Sequence, residues 1–177
     1  MRRLMLLRHA KTETDAASGR DQDRRLDERG HKDAAEIGGW IGRNPPFPDS
    51  VLVSPAVRAH QTWDIAWEAM NGLAPEPHVE LVPELYGAEP MQLLRIIRKA
   101  SASDPKRLML VGHNPGMHEL ALALAGSGDA ASRKALADNL PTSGLAAFDF
   151  ATDDWNDVAF RRGRLVLFVS PKLLKQT

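Results

Sequence analysis

The sequence predicts an α/β fold, a three-layer α/β/α sandwich around a mostly parallel central sheet. Two observations carry this expectation. Four short apolar runs, Leu4–Leu7, Val51–Val53, Leu108–Val111 and Leu165–Val169, show no alternation with polar residues. Runs of this kind suit strands buried on both faces, where neither side needs a polar residue. Between the runs lie apolar positions at helical spacing. Strand and helix therefore alternate, as in a sheet covered by helices.

The elements follow in chain order. Leu4–Leu7 is the first strand and stops at Arg8-His9. Ala34, Ile37 and Ile41 recur at i, i+3 and i+7, marking a helix. Asn44-Pro45-Pro46-Phe47-Pro48-Asp49 is a turn-forming connector to the strand at Val51–Val53. Ser54-Pro55 reads as N-cap and first helical residue of the stripe Ala59, Trp63, Ala66, Trp67 and Met70, and Asn71-Gly72 as its stop. Trp63 and Trp67 read as core packing. Leu93, Leu94 and Ile97 mark a further helix. After Leu108–Val111, Asn114-Pro115 repeats the capping pattern before Met117, Leu120, Ala121 and Leu124. Gly126–Asp129 reads as a surface loop, and Ala151–Asp157 as a hairpin turn between the last two strands. No repeat or second-domain boundary is visible, so residues 1–177 read as one domain.

Composition removes several classes of chemistry. A chain of 177 residues fits one domain at roughly 100–200 residues each. Hydrophobic residues at 43% and charged residues at 26% match a globular chain and exclude a disordered or collagen-like one. Lys+Arg and Asp+Glu are both 23, so no net charge directs the chain to nucleic acid or to an anionic membrane. Cysteine is absent, which excludes disulfides, thiolate metal sites and a cysteine nucleophile. The four apolar residues Leu4–Leu7 fall short of the about 7–15 of a signal peptide, and no run reaches the roughly 18 of a membrane span. A cytoplasmic location is expected. Oligomeric state is not set by any of these features.

Ligands of open α/β sheets bind beyond the carboxyl ends of the strands. The first three apolar runs end in Arg8-His9, in Ser54-Pro55-Ala56-Val57-Arg58 and in Gly112-His113-Asn114-Pro115. Two histidines and two arginines thus reach one edge of the sheet, beside loops that open helices and favour anions. Phosphate is the natural candidate, with each desolvated arginine contact worth about 1.5–3 kcal/mol. Singly, each residue has an ordinary explanation: a solvated strand end for Arg8-His9, a surface position for Arg58, a helix cap for His113. Only their coincidence makes a site. His113 and His118 are five residues apart rather than four, and no carboxylate adjoins His9 or His113. Neither a metal site nor a cofactor is expected.

These residues also carry a family resemblance. Leu6-Leu7-Arg8-His9-Ala10-Lys11-Thr12-Glu13 resembles the Arg-His-Gly signature of the histidine phosphatase, or phosphoglycerate mutase-like, superfamily. Val51–Thr62, containing Ser54-Pro55-Ala56-Val57-Arg58-Ala59-His60-Gln61-Thr62, resembles the second motif, and Val111-Gly112-His113-Asn114-Pro115-Gly116 the third. Arg25-Leu26-Asp27-Glu28-Arg29-Gly30 and Pro141-Thr142-Ser143-Gly144-Leu145 resemble the small phosphohistidine phosphatase, SixA-like, branch.

The resemblance implies a phosphoglycerate mutase-like sandwich and a set of roles. His9 would be the nucleophile that takes the phosphoryl group. Arg8, Arg58 and His113 would surround the phosphate, with Lys11 and Thr12 beside them as further substrate-binding positions. Guanidinium charges beside His9 would keep the imidazole neutral and stabilise the transferring phosphoryl oxygens. Glu84 would be the general acid for a phosphate ester, with Glu13 as the alternative. Ala10 stands where the signature has glycine, which raises the question of a positive φ there. Lys11 stands where an acidic residue is common; it adds positive charge at the pocket rim, but reads first as a solvated lysine.

Larger members insert helical caps over the site. Here the segment between Leu81 and Arg107 is short, which implies a minimal cap and an open site. An open site suits a phosphohistidine on a protein partner, hydrolysed without metal through a phospho-His9 intermediate. The alternatives are a small phosphate monoester cleaved by the same mechanism, a non-catalytic phosphate-binding module and a metal-dependent phosphatase.

Overall fold

The computed structural model describes residues 1–176. Its elements are β1 (Arg2–Arg8), α1 (Glu28–Arg43), β2 (Ser50–Val53), α2 (Val57–Ala69), β3 (His78–Leu81), α3 (Pro90–Lys99), β4 (Arg107–Gly112), α4 (Gly116–Leu124), β5 (Ala125–Gly128), α5 (Ala130–Asp138), β6 (Leu145–Phe150), β7 (Gly163–Val169) and α6 (Pro171–Leu174). The strands form one seven-stranded sheet in the order β3-β2-β4-β1-β6-β7-β5. All neighbours pair in parallel except β6, which runs antiparallel to both β1 and β7.

The missing alternation in the apolar runs has a direct cause. Successive side chains of a strand point to opposite faces, and here both faces are covered. Leu4 and Leu6 of β1 join Leu108 and Leu110 of β4 in a core with Leu93 and Ile97 of α3 and Met117, Leu120 and Leu124 of α4. Met5, Leu7, Met109 and Val111 point the other way, into a core with Ile37 and Ile41 of α1 and Trp63 of α2. The two helices on that side cross closely. A Cβ at Gly38 would lie 2.3 Å from the Ala66 carbonyl oxygen, so only glycine lets the backbones meet there.

Three expectations are corrected. Gly126–Asp129 is not simply a loop, because Ala125–Gly128 pairs with β7 as an edge strand. Ser54 is not the N-cap of α2: the cap position is Ala56, with no side-chain bond, and the helix starts at Val57. Ser54 has been recruited elsewhere, its Oγ lying 2.7 Å from His113 Nε2. The cap position of α4 is likewise Pro115 and the helix starts at Gly116. Asn114 still serves that helix through its Oδ1, which accepts from the His118 amide at 3.2 Å. The stop after α2 is as expected, with Asn71 at φ 52° and Gly72 at φ 75°.

Candidate active site

β2, β4 and β1 are neighbours in the sheet, so the loops that follow them leave side by side. The His9 amide donates to the Gly112 carbonyl and the Ser54 amide to the Val111 carbonyl, both at 3.0 Å. This lacing brings the His9 and His113 rings to 5.3 Å between centroids.

His9 is buried, with 7% of its surface exposed. Its Nδ1 lies 2.8 Å from the Ala10 carbonyl oxygen. A carbonyl only accepts, so Nδ1 carries the proton and Nε2 keeps its lone pair. Burial lowers the His9 pKa to about 4, opposed by the bond to Ala10 and helped by the charges of Arg8 and Arg58. Burial, then His9 and Arg58, lower that of His113 to about 3. Both rings are therefore neutral near pH 7.

The arginines are tethered by their far ends. Arg8 donates from NH1 to the Leu140 carbonyl at 3.1 Å. Arg58 projects from the first turn of α2, and NH1 and NH2 donate to the backbone oxygen and Oδ2 of Asp21 at 2.8 and 2.9 Å. Asp21 Oδ2 also accepts from the Tyr86 hydroxyl at 2.6 Å, and Oδ1 from Arg24 Nε at 2.9 Å. The Tyr86 hydroxyl bond, followed by Arg58 and Arg24, holds the Asp21 carboxyl well below the usual carboxylate range. The Tyr86 ring stands edge-on to His113, 5.5 Å between centroids.

Among the described residues, the buried side-chain nitrogen and oxygen atoms without a partner are Arg8 Nε, Arg58 Nε, His113 Nδ1 and Ser143 Oγ. All four belong to this corner of the molecule, since the Ser143 amide donates to the Arg8 and His9 carbonyls. Buried polar groups are normally paired, and gathered here these groups can donate to an anion with several oxygens.

His9, Arg8, Arg58 and His113 are thus brought together. The other expected residues are placed differently. Glu84 is exposed on the 3-10 turn Pro83–Leu85 and lines a separate groove of about 430 Å³ with Leu81, Ile96 and Lys99. Lys11 is mostly exposed, 3.9 Å from Asp27. Thr12 accepts from Arg24 at 2.7 Å, which links it to the site through Asp21. Glu13 is exposed. His118 is turned away from His113, its Nε2 being 2.6 Å from the Leu136 carbonyl oxygen. Ala10 has no positive φ. It is fully buried and its amide donates to Thr62 Oγ1 at 2.9 Å, so alanine fits where the signature has glycine.

The sequence profile of the histidine phosphatase superfamily (branch 1) matches residues 4–87. A protein of Mycobacterium leprae is 36% identical over 155 residues, covering 86% of this chain and 89% of its own. A solved structure from Agrobacterium tumefaciens, provisionally named phosphohistidine phosphatase SixA, is 34% identical with a TM-score of 0.78 and covers 96% of this chain and 98% of that one. The chain belongs to the histidine phosphatase superfamily.

Within the superfamily it falls in the SixA-like branch. A second provisionally named SixA, from Nakamurella multipartitia, has a TM-score of 0.81 at 26% identity and covers 96% of each chain. The histidine phosphatase motifs singled out Arg8, His9, Arg58 and His113. They assigned nothing to Asp21 or Ser143, nor to Ser54 and Tyr86 individually. Asp21 sits in Arg20-Asp21-Gln22-Asp23-Arg24-Arg25, where mixed charges read as a solvated surface. Ser143 lies in Pro141-Thr142-Ser143-Gly144-Leu145, the segment that resembles the branch, and its backbone is left-handed, with φ 58°.

Proposed function

We propose that the protein is a phosphatase that hydrolyses phosphohistidine on a protein partner through a covalent phospho-His9 intermediate. One observation carries this reading: a neutral, tautomer-fixed His9 under the charges of Arg8 and Arg58, with no carboxyl hydrogen-bonded to it among the described residues. His9 Nε2 attacks phosphorus as the bond to the leaving imidazole breaks. The leaving ring takes a proton from solvent on its other nitrogen and departs neutral. The phosphorylated His9 ring keeps its Nδ1 proton against the Ala10 carbonyl, which stabilises the positive charge the ring acquires. Water then attacks phosphorus, releases a proton to solvent, and the electron pair of the P–N bond returns to Nε2 as inorganic phosphate leaves. Arg8 and Arg58 stabilise the phosphoryl oxygens in both steps.

The leaving group follows from the missing acid. An alkoxide needs a proton from a positioned donor. Asp21 is held ionised by its partners, and Glu84 faces another groove. An imidazole leaves without such a donor, which favours phosphohistidine over a sugar phosphate. The segment from Pro83 to Ala102 adds only two 3-10 turns and α3, a small cap that suits a site reached by a protein surface. The names of the Agrobacterium and Nakamurella structures support the same substrate class.

The test compares turnover of a phosphohistidine-bearing protein with a panel of sugar phosphates, with and without a chelator. Phosphohistidine turnover that persists under chelation and vanishes in His9→Ala is expected. Dominant sugar-phosphate turnover would overturn the substrate, and full turnover by His9→Ala would overturn the mechanism.

A further inference from the structure

We infer that Asp21 is a positioning residue for phosphoryl transfer: it clamps the end-on fork of Arg58 and the hydroxyl of Tyr86, leaving the Nε edge of the guanidinium as the donor for the phosphoryl group. The inference rests on the reading that Arg58 meets that group.

A guanidinium offers two useful edges, the fork of its two terminal nitrogens and the side made by Nε and one terminal nitrogen. At Arg58 the first is taken. NH1 donates to the Asp21 backbone oxygen at 2.8 Å and NH2 to its carboxylate at 2.9 Å. Backbone and side chain of one residue thus fix both the plane and the rotation of the group. The second edge is left, and its Nε has no protein partner. Arg8 repeats the arrangement, with NH1 tied to Leu140 and Nε unpartnered.

The same carboxylate reaches His113 through Tyr86. Tyr86 donates to Asp21 Oδ2 at 2.6 Å and stands edge-on to His113, and its ring lies 5.9 Å from the Arg58 guanidinium carbon. Asp21 therefore ties together the loop after β1, the first turn of α2 and the segment carrying Tyr86, three pieces distant in sequence that wall one site. Stability alone does not account for it. The Asp21 side chain is 50% exposed while that of Arg58 is 6% exposed, and ion pairs half open to water contribute little to folding. What the contact supplies is geometry, and a small displacement of a phosphoryl-binding group is enough to slow transfer about 100-fold.

The experiment uses the full chain with Asp21→Asn, Asp21→Ala and Asp21→Glu. Tungstate binding by calorimetry reads the anion pocket without turnover, and steady-state hydrolysis of p-nitrophenyl phosphate and of a phosphohistidine-bearing protein reads transfer. Asp21→Asn should weaken tungstate binding at least about tenfold and lower kcat about 10–100-fold. Its unfolding temperature should stay near wild type, and Asp21→Glu should recover part of both losses. Wild-type tungstate affinity and kcat in Asp21→Asn would overturn the inference, as would tighter tungstate binding, which would mean that the carboxylate competes with the anion. Asp21→Asn is nearly isosteric, so it decides the matter even where Asp21→Ala fails to fold. A wild-type protein that binds tungstate but does not hydrolyse phosphohistidine overturns the proposed substrate while leaving the Asp21 result readable.

Discussion

At His9, two influences meet on one ring. The Ala10 carbonyl fixes the proton on Nδ1, while burial and then the charges of Arg8 and Arg58 discourage a second proton on Nε2. An unperturbed histidine would lose nucleophilicity below about pH 6.5. With a pKa of about 4, His9 should stay competent well into acid. The acid limb of kcat/KM for an acid-stable aryl phosphate should therefore fall near pH 4 to 5. A limb centred at pH 6.5 would contradict the environment described for His9. Removing the ring by His9→Ala should lower turnover by more than about 1000-fold and abolish acid-labile phosphate trapped on the protein. Arg58→Lys should also fail, because an ammonium cannot occupy both Asp21 and a phosphoryl oxygen as a guanidinium does; a loss of about 10²–10³ in kcat is expected. These residues were legible because each lies at a strand end or in the loop and first helical turn that follow one. Asp21 was not. Its partners Arg58 and Tyr86 lie 37 and 65 residues away, and no local pattern encodes a contact of that span.

Among the elements, α1 bears on the site through its first turn. Asp27 caps it by accepting from Gly30 at 2.7 Å, and Gly30 rests on the loop that follows His9. A Cβ at Gly30 would sit 2.0 Å from the Lys11 carbonyl oxygen. Gly30→Ala must push helix and loop apart, with an expected loss of about 1–3 kcal/mol in urea unfolding and reduced turnover from the shifted Arg8-His9 segment. Unchanged stability would show that the two segments are not in register as described. The strands without a sequence signal share a physical cause. β3 is an edge strand with all four positions exposed, so no core-facing pattern marks it. β5 reads Ala-Gly-Ser-Gly, poor in strand-forming residues, and is held by pairing with β7. The misplaced caps have another cause. Ser54 and Asn114 sit where local grammar starts a helix, but Ser54 turns to His113 across 59 residues.

Across the whole molecule, the site is carried at some expense to acid stability. Two histidines are buried neutral, with pKa values of about 4 and 3 against about 6.5 when unfolded. Between these values the unfolded chain binds more protons, so stability rises with pH through that window and falls as pH drops below about 6.5. Asp21, whose pKa is lowered, loses its contribution only below the ordinary carboxylate range near pH 3.8, so the earlier loss belongs to the histidines. Urea midpoints should decline from pH 6.5 toward pH 4, and His113→Gln should flatten that slope. An unchanged slope in His113→Gln would remove His113 from the account.

Zero net charge is likewise a sum over the whole chain. Arg8, Arg58 and Arg24 gather around two neutral histidines, with Asp21 as their counter-charge. The sequence by itself determined the layered α/β fold, the apolar strands and the four residues at the strand ends, because these follow from local periodicity and from chain order along one sheet edge. Only the tertiary structure decided the proton on His9, the ionised state of Asp21, the tether on Arg58 and the placing of Glu84 on another groove. Each of these depends on burial and on partners distant in sequence, and no local spacing specifies them.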